Sequence, residues 1–188
     1  MNIVLTGPPG SGKGTQAERL AAALGCAHLS TGEMLRAEIE ADTPLGATVA
    51  RTVSAGELIS DELVNQLVLP RARAAAAGPG YLLDGYPRSV EQAEALLAAG
   101  IPPDRVVALE VPEPVLVERI LHRARIEGRA DDTPEVITNR LKVFAESTRP
   151  VLDLFAGRGL LCTVPAEGTP DEVASLILSQ LHGRTGDR

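Results

Sequence analysis

Residues 1–20 read MNIVLTGPPGSGKGTQAERL. The run Asn2–Thr6 is short, apolar and partly β-branched, and it stops at Gly7. That pattern predicts a buried strand. The segment GTQAERLAAALG (14–25) holds good helix formers with apolar residues three and four apart, and Gly25 is its stop. Between strand and helix, residues 7–14 place four glycines and two prolines around Lys13. Gly7, Gly12 and Lys13 satisfy the spacing G-x-x-x-x-G-K. Glycines let several backbone N–H groups converge on one point, which makes a nest for an anion. The following helix N-terminus adds partial positive charge, and Lys13 adds a compact mobile one. A strand, this turn and a helix predict an α/β domain that binds phosphate here.

Outward from this unit, strands and helices alternate. AHLS (27–30), GYLLDG (80–85), RVVALEV (105–111) and GLLCTVPA (159–166) read as four further strands. Helices are expected at 31–42, 43–56, 60–78 (through Pro70), 89–100, 114–124, 133–148 and 169–183. Ser60 and Thr133 stand at N-cap positions, and Pro150 marks a kink or a new segment. The βαβ spacing predicts a five-stranded parallel sheet flanked by helices. Two stretches break the alternation. Residues 30–59 carry helices without a strand of their own. Residues 122–132 are polar, rich in arginine and poor in core residues. Both read as insertions over the sheet edge where ligands of open α/β sheets bind. The tail 184–188, RTGDR, is expected to fray.

At 188 residues the chain is long enough for one such domain. Aromatics make up 2% and Trp is absent, so the core rests on Leu, Val, Ile and Ala. The formal charge of −7 argues against a nucleic-acid or anionic membrane surface. Cys26 and Cys162 form neither a disulfide framework nor a zinc motif, and two buried thiols are expected. No run reaches membrane-spanning length and no signal-peptide pattern precedes the core, so the expected location is the cytoplasm.

Against this acidic background the arginines are informative. Arg36, Arg88, Arg119, Arg123, Arg129 and Arg140 fall near strand ends or in the insertions. Together they suggest a basic cleft for a ligand with several phosphates. Asp84 ends its strand, the usual place of a magnesium-associated acid, reached through water. No Ser/His/Asp set or catalytic-loop signature is present, and His28, His122 and His182 are scattered. An acceptor that is itself a phosphate needs no general base, because its oxygen is already ionised near neutrality (second pKa about 6). It needs charge neutralisation and in-line placement.

GPPGSGKGTQ (7–16), STGEMLR (30–36), GELISDELV (56–64), DGYPRSVEQAEAL (84–96), GRADD (128–132) and NRLKVF (139–144) together resemble adenylate kinase, in order and spacing. The similarity covers residues 1–182. It implies a P-loop NTPase-type fold and reversible phosphoryl transfer from MgATP to AMP, giving two ADP. It also implies ATP contacts at Gly10, Ser11, Gly12, Lys13, Gly14, Thr15, Arg119, Arg123 and Gly168. AMP contacts are implied at Thr31, Arg36, the Glu57–Leu58–Ile59 backbone, Gly85, Tyr86, Pro87, Arg88, Gln92, Arg129 and Arg140. Lys13, Arg88, Arg123, Arg129 and Arg140 would act on the transferring phosphoryl group. Within one domain, 1–29, 60–121 and 133–188 would form the core, 30–59 the AMP-binding insertion and 122–132 the lid. The lid is short and lacks cysteine, so no zinc is expected. Gly14 replaces the usual Ser or Thr after the loop lysine, which leaves Mg²⁺ weaker direct ties to this loop. The expected partners are ATP, AMP and ADP, without nucleic acid or membrane, and the expected assembly is a monomer. A UMP/CMP-type kinase on the same fold is the alternative. Gln92 favours AMP, since its amide offers donor and acceptor to the adenine edge. A non-catalytic nucleotide switch is a third reading, but the guanine signature N/T-K-x-D is missing and the second insertion would have no purpose.

Overall fold

The computed structural model describes residues 1–55, 59–127 and 133–182, without the side chains of 53–55, 123–127 and 134. Within them the chain runs β1 (Ile3–Thr6), α1 (Lys13–Leu24), β2 (Ala27–Ser30), α2 (Thr31–Glu40), α3 (Pro44–Ala55), α4 (Asp61–Ala76) and β3 (Tyr81–Asp84). It continues with α5 (Val90–Ala98), β4 (Arg105–Glu110), α6 (Glu113–Glu127), α7 (Pro134–Val143), a π-helical turn (Phe144–Thr148), α8 (Arg149–Ala156), β5 (Leu161–Pro165) and α9 (Pro170–His182). The five strands are parallel in the order β2-β3-β1-β4-β5. The α/β fold expected from the alternation is the fold observed.

Period-two alternation sorts the core into two layers. Ile3 and Leu5 of β1, Leu82 of β3 and Val107 of β4 pack with Ala17 and Leu20 of α1 and Ile177 of α9. Val4, Leu83 and Val106 point the other way, onto Val68 of α4, Leu96 of α5 and Phe155 of α8. Each strand is therefore apolar on both faces, as strands covered by helices on both sides must be. Side-chain caps start several helices. Ser30 accepts from the Glu33 N–H, Ser89 from the Gln92 N–H and Thr133 from the Val136 N–H.

The topology fixes where a ligand binds. The chain leaves β1 toward β2 on one side and leaves β3 toward β4 on the other. The neighbouring ends of β1 and β3 thus form the switch point of the sheet. Both the 7–12 turn and the 85–88 turn emerge there.

Local expectations change in several places. β1 begins at Ile3 rather than Asn2. The helix expected over 133–148 is α7 followed by the π turn, and Pro150 lies in the first turn of α8. Helix α6 runs to Glu127, three residues further than expected. Cys26 and Cys162 are half-buried rather than fully buried. The 184–188 tail lies outside the described residues. No helix among the described residues is long and apolar enough to cross a membrane.

Candidate active site

The turn after β1 is built from its glycines. Gly10 has φ +81°, and a Cβ there would lie 2.7 Å from the Leu116 carbonyl and 2.8 Å from Ile120 Cγ1. The loop therefore lies directly on α6 with no room for a side chain. Gly12, the N-cap of α1, has φ +88°, and a Cβ there would meet nothing within 4 Å, so the loop opens at that point. The Lys13 ammonium folds back over the turn and donates to the Gly7 carbonyl at 2.7 Å and the Pro8 carbonyl at 2.8 Å.

A cleft of about 720 Å³ opens over the switch point. Gly10 through Thr15 line it. So do Arg36 from α2, Arg88 from the turn after β3, Arg140 from α7 and Asp84. Arg119 from α6 and Gly168 from the loop before α9 line it too. Arg119 donates to the Ala166 carbonyl at 2.9 Å and to the Glu167 carbonyl at 3.4 Å, which fixes it against that loop. The loop itself is held by a reciprocal cap. Glu172 accepts from the Thr169 N–H and hydroxyl, and Thr169 Oγ1 accepts from the Glu172 N–H.

Arg88 is the most constrained cation. Its Nε donates to the Gly85 carbonyl at 2.8 Å. A Cβ on Gly85 would come within 2.9 Å of Arg88 Nη2, so the glycine is what lets the guanidinium lie there. Burial pushes the Arg88 pKa down, the Arg140 and Arg36 charges push the same way, and Asp84 opposes them. Such a cluster of like charges is costly without an anion and stabilised by one. His28 Nε2 stands 3.9 Å from Asp84 Oδ2, an ion-pair distance, and that carboxylate holds the imidazole pKa above its ordinary value.

Of the residues singled out by the sequence, the structure gathers Gly10–Thr15, Arg36, Asp84, Gly85, Pro87, Arg88, Arg119, Arg140 and Gly168 in this cleft. Thr31, Ile59, Tyr86 and Gln92 are buried and are not among the residues that line it. The Thr31 hydroxyl there has no hydrogen-bond partner. The Gln92 amide is engaged at both ends: its Oε1 accepts from the Arg88 N–H at 2.8 Å and its Nε2 donates to Asp61 Oδ1 at 2.7 Å. Tyr86 donates from its hydroxyl beside Asn65 Oδ1 and the Gln92 carbonyl. Glu57, Leu58 and Arg129 lie outside the described residues, as does the Arg123 side chain. Among the lining residues to which the sequence assigned no role, Gln16 and Thr148 make defining contacts. Gln16, in the first turn of α1, donates to the Pro170 carbonyl at 3.0 Å. Its place directly after the glycine turn was a usable signal. Thr148 in the π turn had none.

Comparison with known proteins bears on the family. The family model described as Adenylate kinase matches residues 5–160. An adenylate kinase of Stenotrophomonas maltophilia (strain R551-3) is 48% identical over 187 residues, covering 97% of this chain and all of that protein. Those of Xanthomonas oryzae pv. oryzae (strain MAFF 311018) and Xylella fastidiosa (strain 9a5c) are 46% and 45% identical, each over 96% of this chain and 99% of the relative. The chain belongs to the adenylate kinase family.

Proposed function

We propose that this cleft passes the terminal phosphoryl group of MgATP directly to AMP, with the 10–15 loop holding the donor and the arginine cluster holding the acceptor. The reaction, MgATP and AMP to two ADP in either direction, follows from family membership. The division of labour among residues is our reading. The observation that carries it is the meeting of Lys13, Arg36, Arg88 and Arg140 in one cleft at the switch point, in a chain of net charge −7.

The backbone N–H groups of Gly10–Thr15 and the Lys13 ammonium take the ATP phosphates. Lys13 would exchange its contacts to the Gly7 and Pro8 carbonyls for phosphate oxygens. The base of ATP would rest on the guanidinium of Arg119, which the Ala166 and Glu167 carbonyls hold beside Gly168. The AMP phosphate enters among Arg36, Arg88 and Arg140, whose crowded charges it neutralises. Its oxygen is ionised near pH 7, so no proton needs removing. Catalysis is then placement plus stabilisation of the charge on the moving phosphoryl group.

Magnesium is bound in such sites by one or two carboxylates and substrate phosphates, and it keeps several waters. Asp84 suits this role: a single carboxylate at the C-terminal end of β3, facing the cleft. The ion, when bound, would neutralise charge on the ATP phosphates.

The partnerless Thr31 hydroxyl and the remaining N–H and lone pair of Gln92 are our candidates for contacts to AMP. The backbone of Glu57 to Ile59, Arg123 and Arg129 join the site by the resemblance alone. All groups in this account come from one chain, so a monomer suffices, and we place it in the cytoplasm. Initial rates with AMP, CMP, UMP and GMP at fixed MgATP test the reading. AMP should be strongly preferred. Preference for UMP or CMP would reassign the acceptor, and no transfer to any of the four would leave a nucleotide switch.

A further inference from the structure

Arg88 is fixed by its main chain as well as its side chain. Its N–H donates to Gln92 Oε1 at 2.8 Å, and its carbonyl accepts from Thr148 Oγ1 at 3.0 Å. Both partners are buried, at 1% and 5% exposure. Gln92 is itself braced at 2.7 Å by Asp61, the first residue of α4. Arg88 lines the cleft, and with its Nε spent on the Gly85 carbonyl the two terminal nitrogens are left for a ligand. A side chain flanked by Arg36 and Arg140 would otherwise swing toward water, away from its like-charged neighbours.

The π turn explains how Thr148 reaches this spot. In an unbroken α-helix Thr148, eight residues past Arg140, would sit about 80° round from it. The wider turn over Phe144–Thr148 absorbs roughly one extra residue and brings the two onto one face. Arg140 and Thr148 both line the cleft.

We propose that Thr148 is a positioning residue for phosphoryl transfer: its hydroxyl, set by the π turn, works with the Asp61-braced Gln92 to clamp the Arg88 main chain and aim the guanidinium at the acceptor phosphate. The inference rests on the reading that Arg88 takes that phosphate. Arg88 would then join α4, α5 and the helix after the lid segment into one frame.

Thr148→Val removes the donor and keeps the shape, and Thr148→Ser keeps the donor. Steady-state kinetics with each substrate varied should separate the two. In Thr148→Val, kcat/KM for AMP should fall about tenfold, the equivalent of one buried hydrogen bond at about 1.4 kcal/mol. The KM for ATP should stay within about twofold, and Thr148→Ser should recover most of the loss. Arg88→Lys run alongside separates the two claims. If Arg88→Lys spares AMP, the phosphate role of Arg88 fails and this inference fails with it. If Arg88→Lys impairs AMP while Thr148→Val does not, the phosphate role stands and the clamp is refuted. Equal losses for AMP and ATP, equal losses in the Val and Ser variants, or a lower melting temperature with unchanged kinetics would each overturn the positioning role.

Discussion

Arg88→Lys preserves formal charge and isolates geometry. In the native site Nε occupies the Gly85 carbonyl at 2.8 Å while the terminal nitrogens remain for an anion. Lysine ends in one nitrogen, which cannot hold Gly85 and also grip a phosphate as a fork does. At least one charge-assisted hydrogen bond is lost, worth about 1.5–3 kcal/mol. That corresponds to roughly 10- to 150-fold in kcat/KM for AMP. A second effect follows from the surroundings. Burial and the Arg140 and Arg36 charges push the Arg88 pKa down, yet a guanidinium starts so high that it stays charged. A lysine starts near about 10.4, so the same surroundings bring its loss of charge within reach of ordinary buffers. The variant should therefore lose further AMP activity as pH rises, relative to the native enzyme, because the neutral amine prevails above its pKa. Initial rates from neutral to alkaline pH, with AMP varied at saturating MgATP, measure both effects. Calorimetric ATP affinity should change little. A native-like AMP rate, or an ATP affinity that falls as far as AMP turnover, would refute the role given to Arg88.

Two further outcomes are expected. Gly10→Ala and Gly12→Ala both force alanine into left-handed backbone, at about 1–2 kcal/mol each, but only Gly10→Ala also drives a Cβ to 2.7 Å from the Leu116 carbonyl. Thermal denaturation should show the larger loss in Gly10→Ala, and equal losses would show that the loop does not rest on α6. His28 is held above its ordinary pKa by Asp84, so its contribution to stability is complete below about pH 6.5 and disappears as pH rises through the folded-state value. Urea unfolding of the native protein and His28→Gln should show a stability gap that narrows from acid toward alkaline pH, and a constant gap would refute the coupling.

The phosphate loop and the strands were legible because their information is local. The glycine spacing, the apolar run before it and the helix after it all lie within residues 2–25, and period-two alternation then dictated the two-layered core. Thr133 announced the start of α7 in the same way. The π turn was not legible, since FAEST has ordinary helix formers and nothing local requires a wider turn. The contact it serves is tertiary: Thr148 reaches Arg88, sixty residues away. The Gln92 amide read as available for a base, but Asp61, thirty-one residues off, already engages one end. Arg119 read as part of the basic cleft, but what holds it there, the Ala166 and Glu167 carbonyls, lies 47 and 48 residues away in the sequence. The thiols looked core-like by residue type. Cys162 lies in β5, at the edge of the sheet, and keeps part of its surface in water.

The central claim is that the phosphoryl group crosses directly between two nucleotides held in one cleft, without first resting on the protein. The stereochemical course at the transferred phosphorus tests it most directly. ATP made chiral at its terminal phosphorus with oxygen isotopes is reacted with AMP, and the configuration of the product is read by ³¹P NMR. A single in-line displacement inverts the phosphorus. The account requires inversion. Retention would mean two displacements through a phosphorylated side chain, and it would contradict the account.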